Sequence, residues 1–243
     1  MPAEQPTILA TSGGWRSGRR TNLEFNKLIH FALDLSGVHG RRPRFLHVGT
    51  AGGDQRGMNA NVAEAGWVAG VDVAVLNLFT MPPTDDLESF VLSQDVVWVG
   101  GGSVANLLAV WEVHGLGPIF RKAWEAGVVL SGVSAGSICW HLGGATDSFG
   151  PELRIVTNGL GLLPYGNGVH YDSEETRRPK IHEAVAAGVL PTTYCTDDGV
   201  GLLYRGTELA EAVTERRGSG AYVVIRDDSS ATAQEEKLDT RQL

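Results

Sequence analysis

Through the first half of the chain, short apolar runs alternate with longer segments whose apolar positions recur at helical spacing. Residues 7–11 read as a first strand that ends in Ser12-Gly13-Gly14. Thr21-Asn22 caps a predicted helix over 23–35, in which Leu23, Leu28 and Phe31 fall near helical spacing. Residues 44–48 read as a strand, 49–53 as a glycine-rich turn, 57–69 as a helix and 71–76 as a strand. A loop at Pro82-Pro83-Thr84-Asp85 leads into a short helix over 86–92. The apolar strand 96–99 runs into Gly100-Gly101-Gly102-Ser103. Helices over 104–114 and 118–126 follow, the second with Pro118 in its first turn. The apolar run 128–130 comes next. This alternation predicts an α/β fold of right-handed βαβ units with a mostly parallel sheet. In such sheets ligands bind beyond the carboxyl ends of the strands.

The second half is less regular. Residues 168–171 read as a short strand, 174–187 as a helix, and 192–196 and 199–204 as strands. Segments 208–215 and 221–225 are expected to pair as a hairpin across Arg217-Gly218-Ser219-Gly220. Residues 227–243 are polar without apolar periodicity, and predict a disordered or loosely attached tail. The expectation is one α/β domain over 1–226 with a tail over 227–243.

The run 128–130 is followed by Gly132-Val133-Ser134-Ala135-Gly136, and then by small residues able to start a helix. A serine between two glycines at a strand-to-helix turn has the form of a nucleophile elbow. The turn is sharp, and side chains on the flanking glycines would meet other backbone. Ser134 would project its hydroxyl from the strand end, with the Ala135 N–H aimed at a developing oxyanion. A serine nucleophile needs a base and a group that orients the base. His30 and His114 sit in predicted helices, His39 in a loop and His47 inside an apolar strand, where a satisfied core role is expected. His141 lies farther along the segment that follows Ser134. His170, at a strand end, is favoured over His182, which lies in a helix with a polar face. Asp197 and Asp198 precede Gly199 at another strand-to-turn position. Gly100-Gly101-Gly102 lacks the spacing of a phosphate or dinucleotide loop, which leaves a bare backbone facing the oxyanion as the alternative reading.

Composition narrows the partners. A net charge of −8 argues against nucleic acid. The chain has no apolar stretch long enough to span a membrane, and its start lacks the pattern of a secretory signal. Cys139 and Cys195 make no disulfide framework and lack metal-ligand spacing, so a cytoplasmic protein without a metal is expected.

The ordered set Val99-Gly100-Gly101-Gly102-Ser103, Gly132 to Gly136, His170-Tyr171, Glu175-Thr176-Arg177 and Asp197-Asp198-Gly199 resembles the peptidase E family. These are serine peptidases that include aspartyl dipeptidases, with cyanophycinases as relatives. The resemblance covers residues 8–204. It implies a three-layer, flavodoxin-like sandwich similar to class I glutamine amidotransferases, with serine in place of cysteine at the elbow. It implies Ser134 as nucleophile, His170 as base, Asp198 as the orienting acid, and Gly102 with Ala135 as oxyanion donors. Gly101 and Ser103 would line the substrate site, and Arg177 would read an N-terminal aspartyl carboxylate. The family's third catalytic member is often glutamate where Asp198 stands here, and its glycine run usually ends in asparagine where Ser103 stands. The implied activity is hydrolysis of short peptides through an acyl-enzyme, without a cofactor, by a monomer or homodimer. Two other readings stay open. An esterase of the α/β-hydrolase type would pair Asp147 or Asp172 with His182. A non-catalytic binding protein would use the same fold.

Overall fold

The computed structural model describes residues 3–227 and 229–243. Residues 1 and 2 of the start read for a signal, and residue 228 of the expected tail, lie outside the described residues. Strand β1 (Thr7–Thr11) is buried at every position. It is followed by a two-stranded ribbon of β2 (Trp15–Ser17) and β3 (Leu23–Phe25), then helix α1 (Lys27–Leu35). The helix expected over 23–35 therefore starts later. Asn26 is its cap, accepting the Ile29 N–H at 3.0 Å, while the Thr21 hydroxyl is spent on the Leu23 carbonyl. Phe25 packs its ring 5.6 Å from that of Trp15 across the ribbon, a contact that helical spacing does not reveal.

The alternation then runs through β4 (Arg44–Val48), a 3-10 turn (Thr50–Gly52), α2 (Arg56–Ala69), β5 (Asp72–Leu76), α3 (Leu87–Leu92) and β6 (Val96–Val99). It continues with α4 (Val104–Val113), α5 (Leu116–Glu125), β7 (Val129–Val133) and the single-turn α6 (Ala135–Ile138). The second half holds β8 (Gly143–Thr146), β9 (Arg154–Val156), β10 (Gly166–Gly168), α7 (Arg177–Ala186), β11 (Thr193–Thr196) and β12 (Val200–Arg205). It ends with β13 (Glu208–Thr214), β14 (Ala221–Asp227), β15 (Thr232–Leu238) and β16 (Thr240–Gln242).

Eight strands form the large sheet in the order β16-β13-β12-β1-β7-β6-β4-β5. From β1 to β5 every pairing is parallel, and β12 joins the other side of β1 antiparallel. Side chains alternate between its faces as the strand period requires. Leu9, Phe45, Trp98 and Val129 share a core with α1 and α2, whereas Ile8, Leu46, Val97 and Leu130 share one with α3, α4 and α5. Six more strands form a smaller mixed sheet, β15-β14-β11-β10-β8-β9, on which α7 packs through Ile181, Ala184 and Val185. Among the described residues no helix is long and apolar enough to cross a membrane.

Three expectations for the second half are corrected. The strand expected over 168–171 is Gly166–Gly168, and His170 sits in the turn beyond it. The segments expected to form a hairpin are both strands, but β13 pairs with β12 and β16 while β14 pairs with β11 and β15. The polar segment expected to be a loose tail supplies β15, paired with β14 along its length, and β16, paired with β13. An edge strand is held by backbone hydrogen bonds and needs few apolar side chains. Here Glu235 adds bonds to Tyr171 and His182 and an ion pair with Arg178, so a polar segment is bound without apolar periodicity.

Candidate active site

Ser134 stands between β7 and α6 with φ +59° and ψ −114°. This is a positive-φ conformation that a non-glycine residue adopts only under constraint. The constraint is close packing on both sides. A Cβ on Gly132 would lie 2.5 Å from the Gly136 carbonyl oxygen, and one on Gly136 would lie 2.2 Å from that of Val99. The spacing of glycines around the serine thus comes from the packing of β7 and α6 on β6. The Ser134 N–H is bonded to the Thr11 carbonyl at 3.1 Å, which ties the turn to the end of β1. Gly101, after β6, approaches from the other side. A Cβ there would stand 3.2 Å from Ser134 Cβ and 3.8 Å from its Oγ.

His170 follows β10 with φ +53°, and Asp198 follows β11. His170 Nδ1 and Asp198 Oδ1 are 2.6 Å apart, and both side chains are about three-quarters buried. Asp172 accepts the Asp198 N–H at 2.8 Å and fixes that turn. The Ser12 hydroxyl accepts the His170 N–H at 3.2 Å and bonds Thr196 Oγ1 at 2.6 Å. Thr11 and Ser12, adjacent at the end of β1, therefore hold the Ser134 turn and the His170 turn to one strand end. Sequence reasoning missed this role, although Ser12-Gly13-Gly14 was visible as a strand terminus. Asp197, the other candidate, is turned into the protein. Its Oδ2 accepts from the Gly220 N–H and the Tyr222 hydroxyl, and burial foremost raises its pKa. The Arg216 side chain runs over Gly199 and brings its guanidinium to 3.9 Å from Asp198 Oδ2, largely exposed.

Gly102 follows Gly101 at φ +138°, where a Cβ would strike the Ala51 carbonyl oxygen at 2.2 Å. Ser103, expected to line the substrate site, instead caps α4: its hydroxyl accepts the Asn106 N–H at 3.2 Å. Arg177 departs further from its expected role. It is 2% exposed, and its guanidinium is consumed by Glu174 Oε2, through Nε and Nη2, and by the Ala145 carbonyl. A guanidinium at the first turn of a helix reads as available in sequence. Its burial against β8 follows from packing of α7 on the small sheet.

A second cluster borders the glycine run. His47, near the end of β4, is 1% exposed and was expected to be a satisfied core residue; instead neither ring nitrogen has a partner. Burial pushes its pKa down to about 4. Asp54 Oδ1 and Asn59 Oδ1 are likewise buried without a partner. His47, Asn59, Gly100, Gly101 and Trp15 line a cavity of about 230 Å³. Sequence reasoning missed this cavity, reading residues 49–53 only as a glycine-rich turn after a strand.

The remaining histidines and thiols have other occupations. His141 is buried, bonded through Nδ1 to the Ser137 carbonyl, with burial lowering its pKa to about 4. His182 is bonded to Glu235, not to Asp147 or Asp172 as the esterase reading requires. Cys139 and Cys195 are free and buried, and burial raises both thiols. Among the described residues no cluster of three His, Cys, Asp or Glu side chains is arranged for a metal ion.

The fold and this site define an α/β protein that gathers a constrained serine, a glycine run and a histidine–aspartate pair at neighbouring strand ends. The chain belongs to peptidase family S51, whose model matches residues 8–212, and it is thereby a serine-type peptidase. It is 38% identical over 218 residues to the uncharacterized peptidase YgaJ of Bacillus subtilis strain 168, covering 90% of this chain and 91% of that one. It is 26% identical over 142 residues to peptidase E of Shewanella denitrificans, covering 55% and 60%. Among solved structures, a peptidase from an acI-B1 actinobacterium shares the fold with a TM-score of 0.68 at 14% identity, covering 98% and 96% of the two chains. A putative peptidase E protein from Listeria monocytogenes EGD-e does so with 0.58 at 16% identity, covering 86% and 98%.

Proposed function

We propose that this chain is a serine exopeptidase that cleaves short peptides through a Ser134–His170–Asp198 triad, with dipeptides bearing N-terminal aspartate as its substrate class. The observation that carries the reading is the 2.6 Å contact between Asp198 and His170 Nδ1, on turns tied to the same strand end as Ser134. Asp198 accepts a hydrogen bond from Nδ1–H, which keeps the proton on Nδ1 and leaves Nε2 as the base. Nε2 takes the proton of Ser134 as its Oγ attacks the scissile carbonyl. The N–H groups of Gly102 and Ala135 stabilise the oxyanion. The leaving amine receives the proton from Nε2, and water then hydrolyses the acyl-enzyme by the reverse sequence. The aspartyl preference rests on the family resemblance, and with Arg177 consumed by Glu174 its carrier becomes Arg216, the guanidinium beside Asp198. Helices on both faces of a largely parallel sheet support the class I glutamine amidotransferase-like architecture. Two buried, unpaired thiols suit a cytoplasmic enzyme.

A fluorophosphonate probe tests the reading. Label is expected on Ser134, and Ser134→Ala is expected to fold while losing activity by about a millionfold, as serine removal does in a comparable protease. Absence of label from Ser134, or a tenth of the activity surviving in Ser134→Ala, would overturn it.

A further inference from the structure

The His170–Asp198 pair sits on two turns whose adjoining residues point inward. Tyr171, after His170, and Asp197, before Asp198, are 3% and 5% exposed. The turns are tied to each other where the Tyr171 N–H donates to the Thr196 carbonyl at 3.1 Å. Both inward side chains end on the antiparallel pair of β14 and β15, which lies beyond the residues that the family model matches. The Tyr171 hydroxyl donates to Glu235 Oε2 of β15 at 2.7 Å, and Asp197 Oδ2 accepts from the Tyr222 hydroxyl of β14 at 3.3 Å. Arg178 joins the two halves. Its guanidinium carbon lies 4.3 Å from the centre of the Tyr171 ring and 4.8 Å from that of Tyr222, and its Nη1 donates to Glu235 Oε1. Glu235 thus holds one turn directly and the other through Arg178 and Tyr222. A buried phenol hydroxyl needs a partner, so Glu235 fixes where Tyr171 lies.

Resting on the Ser134–His170–Asp198 reading, we propose that Glu235 is a positioning residue for the histidine–aspartate pair. It acts through Tyr171 on the His170 turn, and through Arg178 and Tyr222 on the Asp198 turn. The tolerance of such a pair is small. The His170–Asp198 contact spans 2.6 Å, and a catalytic group displaced by about 1 Å loses roughly 10²-fold in rate. Ser12 holds the same two turns to β1, through the His170 N–H and Thr196. Glu235 holds them to β15, so a polar C-terminal strand supports the base as well as closing a sheet edge. Asp197→Asn leaves this arrangement in place, because asparagine keeps an oxygen that accepts from Gly220 and Tyr222.

The test is the rate at which a fluorophosphonate labels Ser134 in the full chain, resolved into its value at saturating probe and the concentration that gives half that value. The first depends on His170 as base, the second on binding of the probe. Tyr171→Phe removes the hydroxyl link and keeps the ring against Arg178. Its saturating rate is expected to fall about 10–100-fold, the range for a lost hydrogen bond to a charged group, with half-saturation within about threefold of wild type. Glu235→Ala is expected to fall at least as far. His182→Ala is the control. It removes a bond of 2.9 Å to the same Glu235 oxygen, but leaves Tyr171 bound, and is expected to lower the unfolding midpoint while keeping both labelling constants within about twofold. A saturating rate for Tyr171→Phe within about threefold of wild type overturns the proposal. An equal fall in His182→Ala also overturns it, since β15 would then contribute stability alone. In an Asp198→Asn background the pair is already disturbed, and adding Tyr171→Phe is expected to cost less than about twofold more. A full further loss there would place the effect outside the pair and overturn the proposal. Labelled wild-type Ser134 with unchanged rates in the variants sinks the positioning role alone, whereas unlabelled wild-type Ser134 sinks the peptidase mechanism beneath it.

Discussion

Arg177 and His47 are buried to nearly the same degree, 2% and 1% exposed, one against the small sheet and one within the large sheet. Around Arg177 the guanidinium meets Glu174 and the Ala145 carbonyl. Neither ring nitrogen of His47 has a hydrogen-bond partner, and Asp54 Oδ1 and Asn59 Oδ1, near Gly49, have none. Burial of a polar group without a partner is costly, so the two environments differ in kind although the exposures match. The charged residue that looked like a substrate reader is held in a structural contact, and the histidine that looked satisfied lines the cavity behind Gly101. Satisfaction of hydrogen bonds, and not charge or burial, separates the two.

After the loss of Ser134 itself, the largest expected effect is at the acid of the proposed triad. Asp198→Asn is expected to lower kcat by up to about 10⁴, as loss of the correct histidine tautomer does. Asp197→Asn is expected to leave kcat within about threefold, because Asp197 faces Gly220 and Tyr222. Equal losses in the two variants would move the orienting role off Asp198.

Acid stability comes next. His47 and His141 have folded pKa values of about 4, below the ordinary 6.5, because both are buried. The unfolded chain therefore binds protons that the folded chain refuses. Stability from these groups is full above pH 6.5 and is lost as pH falls toward 4, by about 3 kcal/mol for each histidine. Denaturant unfolding between pH 7 and 4 measures this. A flat profile would mean that neither ring stays neutral in the folded state.

Arg177→Met is expected to cost about 2–3 kcal/mol, at or below the range for a broken buried pair because Glu174 is partly exposed. It should leave the ratio of kcat/KM for Asp-Leu to that for Ala-Leu intact. Arg216→Ala is expected to lower that ratio roughly fivefold, as a largely exposed charge contributes about 1 kcal/mol. If Arg177→Met lowers the ratio and Arg216→Ala does not, the exchange of roles between the two arginines is wrong.

The smallest effect has the opposite sign. His47→Leu replaces a buried ring without hydrogen-bond partners by an apolar side chain, and is expected to stabilise the fold by about 1 kcal/mol. Destabilisation as large as that of Arg177→Met would show that His47 is a satisfied core residue after all.

The amino-acid sequence by itself determined the parallel half of the large sheet. Strands at 7–11, 44–48 and 96–99 were legible to the residue, because β1, β4 and β6 lie within the sheet and read as near-continuous apolar runs. The Gly-x-Ser-x-Gly spacing was legible as well, although the contacts that require its glycines are made with Val99 on β6 as much as within the turn. The sequence did not determine β15, an edge strand whose Glu235 is held by residues more than fifty positions away. Nor did it decide the environments of Arg177 and His47. Both are settled by which groups other elements bring alongside, Ala145 of β8 for Arg177 and Trp15 of β2 for His47. Periodicity reports whether a position is buried, because burial repeats with the turn of a helix or the pleat of a strand. Whether a buried polar atom finds a partner depends on individual contacts that have no period, and only the tertiary structure decides them.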